Sequence, residues 1–199
     1  MNNVKKIVAV IGAGLLILVT GCSSSNSAAT IGKTEVPLST MQGTVSEIIK
    51  ERNKVDTTGI TLAIGEELNT NAIRFHVISI LFDDIAERIK IEITDAEIAA
   101  RRADIILQIG GEDRLDFSLV GAQIAPRDFE RYIRTVLLAE KFGDALVAQG
   151  ETSTDGSGIQ KLIVGMAKEE KVKINPRYGT WDYESGNIAP IQDNATVKK

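Results

Sequence analysis

His76 is the only histidine in the chain, and Cys22 is the only cysteine. One of each leaves no Cys/His set for a zinc ion, which takes four ligands in a structural site. A single cysteine also excludes an internal disulfide. Histidine can act as a general base, but it then needs a nucleophile within reach and an acid to orient it. No G-x-S-x-G motif occurs. His76 stands beside Val77 and close to Ile80 in an apolar helical pattern, so it reads as a packed histidine. The paired acids Asp83-Asp84 and Glu169-Glu170 are sequence neighbours, and neighbours on a helix do not face each other. Solvated faces account for them. No catalytic residue, no metal and no cofactor is expected, and the chain does not read as an enzyme.

Three other stretches imitate ligand motifs and fail on spacing. "GAGLLI", from Gly12 to Ile17, has no preceding strand and no third glycine for a dinucleotide turn. "ETSTDG", from Glu151 to Gly156, starts like a calcium loop. Its twelfth position is Leu162, where a bidentate glutamate is required. "GSGIQK" lacks the spacing that cradles a phosphate.

Cys22 has a different chemistry open to it. It follows a basic head, "MNNVKK", then the apolar run "IVAVIGAGLLILV" and the small residues of "TG". That order makes an export signal. Thirteen residues, Ile7 to Val19, fall short of the roughly 20 that span a bilayer. A thiol at the cut site can be alkylated by a diacylglycerol, and cleavage before it frees an amine for further acylation. "LVTGC" resembles the bacterial lipobox, with Val19 where leucine is commoner. The expectation is a lipoprotein signal peptide over residues 1–21 and a lipid anchor on Cys22. The lipid bilayer is then a partner, and the protein sits on the extracytoplasmic face of the cell membrane. "SSSNSAAT" reads as a flexible tether, giving 22–30 that role.

After residue 21 the chain carries 21 basic and 27 acidic residues, a net charge of −6. Nucleic acid is therefore not an expected partner. Aromatic residues make up only 5% of the sequence, so aliphatic side chains must fill the core.

Helices must build most of the scaffold. Ile31 and Val36 flank a turn-like Gly32-Lys33, which suggests a short strand or hairpin. Leu38, Met41, Val45, Ile48 and Ile49 recur at helical spacing. The stretch from Asp56 to Glu67 has no period and reads as a loop. From about Asn69 to Lys90, Ile73, Val77, Ile80, Leu81, Ile85 and Ile89 form one stripe. Thr94 and Glu97 form a capping box, and Gly110-Gly111 ends the helix they start. Pro126 suits the first turn of the next long helix, with Phe129, Ile133, Val136, Leu137 and Phe142 on its apolar side. A last helix covers "IQKLIVGMAKEEK", and "VKIN" alternates as a strand does. The segment after Asp182 is polar and aperiodic, and 183–199 is expected to be a disordered tail.

"VKINPRYGTWD", from Val172 to Asp182, holds the only tryptophan. Tyr178 and Trp181 each offer a large ring with one polar atom, and Arg177 could stack on a ring or hold a carboxylate. A ligand clamp is one reading. A closing strand whose rings lock onto the helices is the other, and it suits a core short of aromatics. The chain as a whole resembles the N-terminal chaperone domain of the SurA family. "AATIGKTEVPLSTM", "ISILFDDIAERIKIEITDAEIAA", "FSLVGAQIAPRDFERYIRTVLLAEKF" and "VKINPRYGTWD" carry the likeness, in that order, from about Ala29 to Asp182.

The resemblance implies a mainly α, orthogonal helical domain over residues 31–182. Its N- and C-terminal segments would meet in a small β element, with Ile174 to Asp182 beside the Ile31 to Val36 strand. It makes Arg177, Tyr178 and Trp181 structural closure residues. It implies a chaperone that holds unfolded exported polypeptides without ATP. The alternative is a structural or adaptor lipoprotein docking one defined partner. Many relatives carry a parvulin prolyl-isomerase domain, but only 17 residues follow Asp182 here, against at least about 50 for a domain. Isomerase activity is not expected. The peptide-binding surface is assigned to the helical face bearing Val77, Leu81, Phe129, Ile133 and Leu137.

Overall fold

The computed structural model describes residues 26–150 and 156–191. Cys22, the export signal, most of the "ETSTDG" stretch and residues 192–199 lie outside the described residues. The described chain is mainly helical. It runs β1 (Ser27–Ile31), β2 (Thr34–Pro37), α1 (Leu38–Arg52), α2 (Gly65–Ile89), α3 (Asp95–Ile109), α4 (Leu115–Ala122), α5 (Phe129–Ala148), α6 (Ser157–Glu169), β3 (Lys173–Ile174), β4 (Thr180–Asp182) and β5 (Asn187–Ala189). One antiparallel sheet has the order β2-β1-β3, and the second pairs β4 with β5.

The first sheet joins the two ends of the described chain. Of the two expectations, a short strand or a hairpin, β1 and β2 form the hairpin, with Ile31 opposite Thr34 and Ala29 opposite Val36. Gly32 turns it at φ +55 and donates its N–H to the Glu170 carbonyl at the end of α6, 2.7 Å away. β3 returns beside β1, placing Ile174 opposite Ala29. Asn175 seals this return. Its backbone N–H reaches the Ala28 carbonyl (2.9 Å) and its Nδ2 the Ser27 carbonyl (2.8 Å).

Two boundaries differ from expectation. Strand β1 begins at Ser27, inside the stretch assigned to the tether, because Ser27, Ala28 and Ala29 are buried under the helices. Small residues read as linker in isolation also suit a strand covered on both faces. Residues 183–191 of the supposed tail form a turn and strand β5. Asp182 accepts from the Glu184 N–H (2.8 Å) and the Ser185 hydroxyl (2.5 Å), and these bonds lower its pKa. That turn brings Ile188 opposite Trp181, and both are buried. A single apolar residue among polar ones gave no period to read.

The helices start and stop for local reasons. Thr94 accepts from the Glu97 N–H (3.3 Å), and Glu97 accepts from the Thr94 N–H (2.8 Å). Lys141 on α5 adds an ion pair to Glu97 at 2.6 Å. Together Lys141 and the Thr94 groups push the Glu97 carboxyl down to about 2. Helix α2 ends in a left-handed Lys90 and α3 in a left-handed Gly110. Helix α2 begins at Gly65, four residues before the expected start.

The core lies between α2, α5, α6 and the first sheet. Phe82 and Phe142 meet in it with ring centroids 5.2 Å apart. Among the described residues no helix is long and apolar enough to cross a membrane.

Candidate functional site

A cleft of about 490 Å³ opens between α2 and α5 and is also lined by α1 and the loop after α4. Phe75, Ile78 and Phe82 form the α2 wall, and Tyr132, Val136 and Ala139 the α5 wall. Ile124 and Ala125 add apolar surface from the loop. The volume falls in the range of sites that take a small ligand or a few side chains.

The five residues assigned to the peptide surface are not on this wall. Val77, Leu81, Phe129, Ile133 and Leu137 are all buried in the core. They lie on the same two helices as the cleft, but on a different arc of each. At 3.6 residues per turn, Ile78 and Phe82 stand about a third of a turn from the line through Val77 and Leu81. Tyr132 and Val136 are displaced by a similar angle from Ile133. The strongest apolar stripe of a helix marks its core side. A weaker flanking arc with mixed polarity formed the open wall, and periodicity alone does not separate it from surface.

Polar groups gather where α1 and the Pro126–Asp128 turn meet α2. The Thr44 hydroxyl on α1 donates to Asp128 Oδ2 at 2.6 Å, and its oxygen lies 3.0 Å from His76 Nε2 on α2. With the hydroxyl proton committed to Asp128, His76 Nε2 is the donor to Thr44. All three residues are buried. Burial pushes the His76 pKa down, with Asp128 opposing and Arg131 adding to the shift. In a nucleophile relay the imidazole accepts the hydroxyl proton, and the carboxylate holds the other ring nitrogen. Here the carboxylate itself accepts the hydrogen bond from the hydroxyl. The arrangement pins α1, α2 and the Pro126–Asp128 turn together.

Sequence reasoning missed this cluster because Thr44 and Asp128 are 84 positions apart. An aspartate placed just before a helix reads as a cap. A second brace lies beside it. Gln123 Oε1 accepts from the Ala63 N–H (2.8 Å) and Arg52 Nη2 (2.9 Å), holding the loop before α2 against α1 and α4.

The closure residues divide. Trp181 is buried among core residues, and Tyr178 is half-buried against them. Arg177 is exposed and joins the turn through its backbone N–H, which donates to Asn175 Oδ1 at 3.2 Å. Gly179 is needed beside Trp181. At φ +121 it passes so close to the Ala189 carbonyl that a Cβ would collide with it. Among the described residues no group of His, Cys, Asp and Glu could hold a metal ion.

Comparison of the chain with protein-family models, with curated proteins and with solved structures gives no match.

Proposed function

We propose that this is a membrane-anchored extracytoplasmic chaperone that holds unfolded exported polypeptides in the cleft between α2 and α5. The observation that carries the reading is the apolar wall of Phe75, Ile78, Tyr132 and Val136 left open beside a complete core. Such a wall fits short hydrophobic segments without demanding a fixed sequence. The likeness of four ordered segments to the SurA chaperone domain supports the same reading. Affinities should be weak, roughly micromolar, because part of the binding energy goes into ordering the client.

The test is refolding of several unrelated aggregation-prone exported proteins. The wild-type protein should suppress aggregation of most of them at several-fold excess. Val136→Asp, which puts a charge on the cleft wall, should abolish suppression while the protein still melts cooperatively. Proline-limited refolding should not accelerate. Tight binding to one native partner with no effect on aggregation would favour the adaptor instead.

Anchoring is a separate part of the proposal and rests on Cys22 after a short apolar run and "LVTG". Cys22→Ala should abolish metabolic lipid labelling and either release the protein from membranes or leave it unprocessed. Labelling that survives the substitution would remove the anchor from the account.

A further inference from the structure

We infer that the cleft selects apolar polypeptide segments flanked by a lysine or arginine, and that Asp128 receives the cation. The inference rests on the cleft being a peptide site and adds the chemistry by which it would choose among peptides. Asp128 stands at the N-cap of α5, yet its side chain makes no capping bond. It lines the cleft and is only 7% exposed.

Thr44 supplies the one hydrogen bond that the carboxylate receives from a described residue, and it goes to Oδ2. An ionised carboxylate has room for about four. Among the described residues, the buried side-chain atoms left without a partner are Arg52 Nε and Trp181 Nε1. Asp128 Oδ1 is not among them, and Asp128 is one of the residues that line the cleft. A sheltered carboxylate with unused acceptor positions favours a charged donor over a neutral one.

The surroundings agree with a cation arriving along an apolar wall. Phe75 and Tyr132 line the same cleft, and an aromatic face attracts an ammonium or guanidinium group. His76 adds no competing positive charge at neutral pH, since burial lowers its pKa. Arg74 also lines the cleft and Arg131 lies near His76, and both cations are exposed. Water and salt screen exposed charges far more than a sheltered one. A glutamate in the same position would meet Asp128 across little solvent.

The experiment uses the full chain in phosphatidylcholine vesicles, with empty vesicles subtracted. Three fluorescent peptides share one Leu/Phe core and are flanked by Lys, Gln or Glu. Anisotropy should show the Lys peptide binding about tenfold more tightly than the Glu peptide, with Gln between them. Asp128→Asn, nearly isosteric and checked by its melting curve, should bring the three within about twofold of each other. Equal binding of all three to the wild type overturns the charge preference and leaves the cleft as a peptide site. A Lys preference that persists in Asp128→Asn assigns it to the overall negative charge of the chain, and overturns the role of Asp128. No binding of any peptide up to about 1 mM, together with no suppression of aggregation, removes the peptide site and the selection with it.

Discussion

Trp181→Ala should lower stability by about 3–5 kcal/mol, the cost of emptying a buried tryptophan site. For a domain of this size that is a fall in melting temperature of roughly 10 °C or more. The side chain is 3% exposed and belongs to the main core cluster. It stands opposite Ile188 in the β4–β5 hairpin, so its loss removes the partner of that strand as well. The indole N–H is buried without an acceptor, which makes a further comparison informative. Trp181→Phe keeps much of the ring volume and removes the unpaired donor. It should cost clearly less than the alanine substitution. Thermal melts of the three proteins, followed by circular dichroism, decide the matter. An unchanged melting temperature in Trp181→Ala with lost peptide binding would make Trp181 a ligand clamp.

The fold was legible where local chemistry repeats or punctuates. The capping box of Thr94 and Glu97, the turn at Gly32-Lys33 and the stripe of α2 each name their element from a few adjacent residues. The resemblance to a family, and not periodicity, led to the expectation that Ile174 to Asp182 lies beside the Ile31 to Val36 strand. In the structure Lys173–Ile174 pairs with β1 at Ala29 and Thr30, and Thr180–Asp182 pairs with β5 instead. A two-residue strand such as Lys173–Ile174 leaves too short a pattern to pair with anything from sequence. The hairpin through β5 was missed for the same reason. Its one buried anchor, Ile188, sits between polar neighbours, and its turn depends on Asp182 bonding residues two and three positions ahead.

The candidate site was less legible than the fold. Its walls lie on the two helices that were named, yet its polar end joins Thr44, His76 and Asp128 from three separate parts of the chain. His76 gave a partial signal, being a histidine within an apolar stripe. Its partners became visible only once α1 and the Pro126–Asp128 turn were seen against α2. Helical spacing finds what a helix hides. It does not tell an open apolar wall from ordinary surface, because both lie at the edge of the hidden stripe.

That distinction sets the sharpest contrast between neighbouring positions on α2. Leu81 is fully buried, whereas Ile78, three residues earlier, lines the cleft and is only partly buried. Leu81→Ala should cost about 2–5 kcal/mol, the range for removing a leucine side chain from a packed interior. Peptide affinity measured well below its melting temperature should change little, because the side chain touches no cleft space. Ile78→Asp should act in the opposite sense. A carboxylate there can reach water through the mouth of the cleft, so the fold should survive with a smaller loss of stability. Apolar segments, however, would have to desolvate it, and burying an unpaired charge is costly enough to abolish weak binding. The two variants are compared by denaturant unfolding and by anisotropy with a hydrophobic peptide, each on the same preparation. If Leu81→Ala loses binding in proportion to Ile78→Asp while keeping its stability, the contact surface is the arc first read from the sequence, and the core must open to expose it.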